Sequence, residues 1–111
     1  MRVMTVSEFA NKNSLTVVAL PCPEREIHGC YIGDLLSWVM GRANEDDAWI
    51  TIMSNANTVA VASLTNVSCV ILAENVTLSD EIVKTAKENG INVLSSPLSA
   101  FDTALMLSGV F

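Results

Sequence analysis

The chain has 111 residues, half of them apolar and 16% charged, the balance of a globular protein long enough to bury a core without disulfide or metal staples. Its net charge is −6, and its six bases (Arg2, Lys12, Arg25, Arg42, Lys84 and Lys87) are scattered rather than striped, which argues against direct nucleic-acid binding. No apolar run approaches the ~20 residues of a membrane span, and the opening MRVMTVSEFANKN lacks the apolar core of a signal peptide, so a cytoplasmic location off the membrane is expected.

Thr5-Val6-Ser7-Glu8 has the spacing of a capping box and predicts a short helix to about Asn13. The apolar stretch LTVVAL follows, and PCPERE then forbids a helix with two prolines and suits a surface turn. EIHGCYI reads as one extended run, alternating Ile27, Gly29 and Tyr31 with Glu26, His28 and Cys30. Asp34 is placed to cap a helix that starts near Leu35 and carries Leu35, Leu36, Val39 and Met40 at helical spacing. GRANEDD is expected to be a solvated acidic loop, with Glu45, Asp46 and Asp47 as its charge run, before the strand AWITIM.

Ser54, Asn55 and Asn57 introduce the next helix, whose small and β-branched body (Ala60, Val61, Ala62) implies close packing on a sheet. VSCVILAE is a strand with the unbroken apolar run Cys69 to Ala73. Thr77 to Asp80 caps DEIVKTAKENG, with Ile82, Val83 and Ala86 as the buried stripe and Gly90 at the stop. INVLSS is the following strand, Ser96-Pro97 has the pattern of a helix start, and LSAFDTALMLSGVF is the last helix. Three strand–helix pairs in a row from Ala48 predict crossover connections and a parallel sheet. The expected fold is α/β, one three-layer domain over residues 1–111 with a mostly parallel sheet.

In such a sheet, ligands sit beyond the carboxyl ends of the strands, where helix N-termini point their free N–H groups. Three loops fall there: Ser54 to Asn57, Glu74 to Thr77, and Ser95 to Ser99. Their hydroxyls and amides suit either a ligand or ordinary helix capping. Catalysis has little to rest on. His28 and Cys30 stand two apart, the spacing of a nucleophile and its base on one strand face, but strand alternation gives the same spacing and no orienting acid is near. Cys22, Cys30 and Cys69 are odd in number with no CxxC pair, which suits buried reduced thiols and neither a disulfide framework nor zinc. No cofactor motif is present.

Three blocks together, GCYIGDLLSWVMGRA, DAWITIMSNANTVAVASLTNVSCVILAE and GINVLSSPLSAFDTALML, resemble the DRTGG domain family, in particular its small stand-alone members. The likeness covers roughly residues 27–107. The Asp-Arg-Thr-Gly-Gly string itself is absent, Cys30 stands where the family has a second glycine, and MSNAN replaces a common Gln-Thr-His-x-Asn. The resemblance implies a fold like the N-terminal domain of HPr kinase/phosphorylase and a regulatory or dimerising role without catalysis. It further implies company with CBS pairs in pyrophosphatases, where an adenine nucleotide acts as effector, and with hydrogenase and other redox or signalling proteins.

The function expected is therefore a non-catalytic, homodimeric ligand-sensing module for an adenine nucleotide or similar small effector. Gly29, Tyr31, Gly33 and Asp34 would form one wall of its site and Asn55, Asn57, Ser95 and Ser96 the other. Tyr31 would stack on a base, while Gly29 and Gly33 let the backbone approach closely. The alternative is a scaffold that binds a protein partner, for which Trp38 is the aromatic anchor. No catalytic residue and no metal ligand is assigned.

Overall fold

The computed structural model describes residues 3–111; Met1 and Arg2, the latter among the six bases named above, lie outside them. Its elements in chain order are β1 (Met4–Thr5), α1 (Val6–Lys12), β2 (Thr16–Ala19), β3 (Glu26–Ile27), β4 (Gly29–Ile32), α2 (Leu36–Arg42), β5 (Asp47–Thr51), α3 (Ala56–Thr65), β6 (Cys69–Leu72), α4 (Asp80–Glu88), β7 (Val93–Ser95) and α5 (Ala100–Leu105). Five strands form one sheet in the order β2-β7-β6-β5-β4. From β4 to β7 each is parallel to its neighbour, while β2 runs antiparallel along β7. This is the mostly parallel α/β sheet that the successive strand–helix pairs predict.

The two-residue period of the strands divides the core between the two faces of the sheet. Ala48, Ile50, Cys69, Ile71 and Leu94 pack with Val6, Phe9 and Ala10 of α1 and with Leu107 and Val110 after α5. Trp49, Val70, Leu72 and Val93 pack instead with Val39 of α2, Val59, Val61 and Ala62 of α3, and Ala86 of α4. Helices α2, α3 and α4 thus cover one face, and α1 with the C-terminal segment covers the other. Fully buried side chains such as Ile50, Ile71 and Leu94 contribute roughly 1.5–3 kcal/mol each.

Several helix ends follow local chemistry. The Thr5 hydroxyl accepts from Glu8 N–H at 3.1 Å and Glu8 Oε1 accepts from Thr5 N–H at 3.0 Å, which completes the capping box. Asn55 caps α3 by accepting from Asn57 N–H at 2.9 Å. Ser79 caps α4, and Gly90 ends it at φ +72°, with Ile91 N–H donating back to the Ala86 carbonyl.

Other expectations are corrected. The run from Glu26 to Ile32 is two strands: β3 pairs with β1 in a separate antiparallel ribbon, and β4 joins the main sheet. The break falls at His28, whose N–H donates to the Asp46 carbonyl at 2.9 Å. Asp34 does not cap α2; Leu35 occupies that position with no side-chain hydrogen bond, because the Asp34 carboxylate is engaged across the sheet edge. The final helix does not start at Ser96-Pro97. Ser96 is drawn into the core, and Ser99 caps α5 three residues later, accepting from Asp102 N–H at 3.1 Å. Ala60 is exposed while Val61 and Ala62 pack inward. Asp47 is no loop residue: it opens β5 and is only 6% exposed.

Candidate functional site at the carboxyl edge of the sheet

At the carboxyl ends of β4 and β5, Asp34 Oδ1 accepts from the Thr51 hydroxyl at 2.8 Å and from Ile52 N–H at 3.0 Å. Thr51 Oγ1 in turn accepts from Met53 N–H at 3.1 Å. This chain of bonds fixes the turn between β5 and α3, and so sets where Asn55 and Asn57 stand relative to the β4 turn. Trp49, fully buried, donates from Nε1 to the Gly33 carbonyl at 2.9 Å and pins the other side of that turn. The Tyr31 ring lies over Gly33, where a Cβ would come within 2.9 Å of Cε2; only glycine lets the ring sit there.

Tyr31, Gly33 and Asp34 thus make one surface, and the Asp34–Thr51 bond joins it to the loop carrying Asn55 and Asn57. Asp34, Asn55 and Asn57 are exposed and Tyr31 and Ser54 half-buried. The edge presents a carboxylate, amides, a hydroxyl and the free N–H groups of a ten-residue helix. Exposed Ile52 and Leu35 stand beside them. Such a set can hydrogen-bond the edge of a base or the hydroxyls of a sugar.

Three of the residues expected here are placed otherwise. Gly29 begins β4, so about 13 Å of strand separates it from Gly33; there it packs against Asp47 Oδ1, which a Cβ would overlap. Ser95 and Ser96 do lie at the carboxyl end of β7, but at 3% and 0% exposure. Ser95 donates to the Val76 carbonyl at 2.8 Å, and Ser96 shares a 2.8 Å bond with Thr103. The crevice between β6 and β7, where the chain changes from one face of the sheet to the other, is stitched shut. Glu74 N–H donates to the Leu98 carbonyl and Asn75 N–H to that of Ser96, each at 2.8 Å. The open part of the carboxyl edge is the β4–β5 side.

Thr51, Ile52 and Trp49 are the residues that sequence reasoning missed. They read as ordinary strand residues, and only the 17-residue separation of the Asp34–Thr51 bond reveals what they hold.

His28 and Cys30 form no reactive pair. His28 lies on the surface with Nε2 3.1 Å from Glu26 Oε1, whereas Cys30 packs toward the core. Burial, and then the nearby Asp47 charge, push the Cys30 thiol up to about 11. Burial first, then Cys30, push Cys69 to about 12, against a lowering by Arg25. Neither is a thiolate at neutral pH. Among the described residues no His, Cys, Asp and Glu cluster is arranged for a metal, and no helix is long and apolar enough to cross a membrane.

A profile of the DRTGG domain family matches residues 25–110. A search of curated protein sequences finds no significant match. Among solved structures, the chain superposes with a TM-score of 0.78 on the CBS and DRTGG domains of the regulatory region of Clostridium perfringens pyrophosphatase, crystallised with its activator diadenosine tetraphosphate. The two are 19% identical, and the alignment covers 96% of this chain and 47% of that one, so this chain spans about half of its length. The match of a family profile over most of the chain, on a sheet of the expected topology, places this protein in the DRTGG domain family.

Proposed function

We propose that this protein is a non-catalytic regulatory module, folded as one DRTGG unit, that binds an adenine nucleotide or similar small effector at the β4–β5 carboxyl edge. The observation that carries the reading is the Asp34 clamp on Thr51 and Ile52, which holds exposed Asp34, Asn55 and Asn57 at one preorganised edge. The likeness to a regulatory region bound to diadenosine tetraphosphate supports the ligand class. With a net charge of −6, and no Lys or Arg in residues 33–35, 52–57, 74–77 or 95–99, the edge favours contacts to base and ribose over contacts to phosphate. A homodimer suits the exposed Leu35 and Trp38 (60% and 55%), at the N-cap of α2 and within it.

The test is differential scanning fluorimetry with diadenosine tetraphosphate, ATP, ADP, AMP and adenosine. A ligand at a hundred times its Kd adds about 2.7 kcal/mol to the stability of the folded state, a clear rise in Tm. Asn57→Ala, which removes an exposed amide and no cap, is expected to keep the unliganded Tm and lose the rise. A flat response across all five compounds would sink the reading.

A second reading, a scaffold for a redox or signalling protein, is favoured by Trp38. The Arg42 guanidinium stacks 3.9 Å from its ring centroid, an arrangement suited to an interface anchor. Trp38→Ala would then abolish partner binding with the Tm unchanged.

A further inference from the structure

The two outer strands of the sheet are not protected alike. Strand β2 has a register irregularity between Val17 and Ala19 and is followed by Pro21 and Pro23, devices that blunt an edge against pairing. Strand β4 has neither. Its residues Gly29-Cys30-Tyr31-Ile32 hold no charge and no proline, and β5 is its one partner among the described residues. Gly33 N–H donates to the Ile50 carbonyl at 3.2 Å. By the two-residue alternation Tyr31 also faces β5, and Cys30 and Ile32 turn their main-chain N–H and C=O groups to the open side.

Beside that edge runs a groove of about 420 Å³, with Cys30, Tyr31 and Ile32 on one wall and Ala104, Leu107 and Phe111 on the other. The second wall repeats at three and four residues, as one face of a helical segment does. The lining is apolar except for Ser108, and Ile32 and Phe111 remain 50% and 39% exposed. An unpaired strand edge facing a helical wall is matched by an extended backbone whose alternate side chains drop into the groove.

Charge narrows the occupant further. The segments that form the two walls, residues 26–41 and 99–111, hold Glu26, Asp34 and Asp102 and no Lys or Arg; His28 pairs with Glu26, and the adjoining Arg25 and Arg42 are engaged by Asp46 and by the Trp38 ring. A second copy pairing antiparallel through β4 would set the Glu26 end of one strand against the Asp34 end of the other, a like-charge contact. A strand flanked by Lys or Arg meets the opposite situation.

We propose that the open edge of β4 and the adjoining groove form a strand-addition site for an extended segment of a partner protein, with apolar residues at alternate positions and Lys or Arg at its ends. The site adjoins the carboxyl-edge ligand site through Tyr31 but uses the open main-chain edge of β4 and the helical wall rather than Asp34, Asn55, Asn57 or Trp38, so the peptide test reads it separately. The homodimer suggested above is thereby assigned to another surface.

The probe is the synthetic peptide KKTVTVTVKK, followed by amide NMR and by anisotropy of a labelled form. Controls are its acidic counterpart EETVTVTVEE and the interrupted KKTVTPTVKK. The expected result is saturable binding of the first peptide with the largest amide shifts at Cys30 and Ile32, and binding weakened about tenfold or more by Ile32→Arg. Ile32 is half exposed, so that variant is expected to keep the wild-type Tm. Equal binding of the interrupted peptide would overturn strand addition, and equal binding of the acidic peptide would overturn the stated chemistry. No binding of any peptide overturns the proposal. So does a dimer, seen by sedimentation, that Ile32→Arg abolishes, because a second copy then occupies the edge.

Discussion

Asp47 is the residue at which chemistry and position conflict most. It is 6% exposed, with Oδ2 accepting from Asn44 N–H at 2.8 Å and Oδ1 packed on Gly29. Burial raises its pKa above the ordinary 3.8; the Asn44 hydrogen bond opposes this and the Asp46 charge adds to it. A carboxyl with a raised folded-state pKa stabilises the fold below its unfolded value. That contribution is lost as the pH rises through the folded value. Asp47→Asn keeps an acceptor for Asn44 and cannot ionise. Its advantage in Tm over wild type is therefore expected to be small near pH 3 and to grow toward pH 7. A gap independent of pH would contradict this account. The sequence placed Asp47 in a solvated acidic run, since three successive acids are usually outside; its burial depends on Gly29, 18 positions away, leaving room for it.

Elements are joined by a few polar side chains that the pattern of apolar residues does not mark. Asn92, 1% exposed, accepts from Cys22 N–H at 2.9 Å and donates to the carbonyls of Cys22 at 2.7 Å and Ser68 at 3.0 Å. It ties the Pro-rich turn after β2 to the starts of β6 and β7. Ser68 continues the tie, its single hydroxyl proton shared between the Glu26 and Asp46 carbonyls, and Arg25 closes it onto Asp46 at 2.6 Å and the Asn66 carbonyl at 2.8 Å. Asn92→Ala would remove the partner of the buried Ser68 carbonyl and of the half-buried Cys22 N–H, and leave the Cys22 carbonyl with Arg25 N–H alone; we expect it to cost roughly 1–3 kcal/mol. Urea denaturation would show this as a lower midpoint at an unchanged m-value. A change within about 0.5 kcal/mol would be that of an ordinary surface site and would count against the role given to Asn92.

Across the whole molecule the sheet grades from centre to edge. Every residue of β5 and β6 is buried, whereas β4 has no buried residue and β2 has only Ala19. Amide hydrogen exchange is expected to be slowest in β5 and β6, where opening requires global unfolding, and faster in β2 and β4. Equal protection across the sheet would contradict that gradient. A soft β4 edge beside firm inner strands also suits both proposed sites, since the Asp34 turn and the groove are built on the strand that opens at least cost.

Read alone, the sequence determined what contacts within a few residues decide. Thr5 with Glu8, Asn55 with Asn57, and Gly90 at the end of α4 are local devices, and their spacing is legible before any fold is known. The apolar strands at Ala48, Val67 and Ile91, alternating with helices, determined a parallel sheet covered on both faces, and the block around Gly33-Asp34-Leu35-Leu36-Ser37 carried the family. Tertiary structure alone decided which polar groups remain available. Asp34 is turned from a helix cap into a clamp by Thr51 and Ile52; Ser95 and Ser96 are consumed by Val76 and Thr103; Gly29 is carried to the opposite end of its strand. The reason is physical: a side chain with several partners within reach in sequence takes whichever the packed core brings nearest, and buried groups cannot go unpaired.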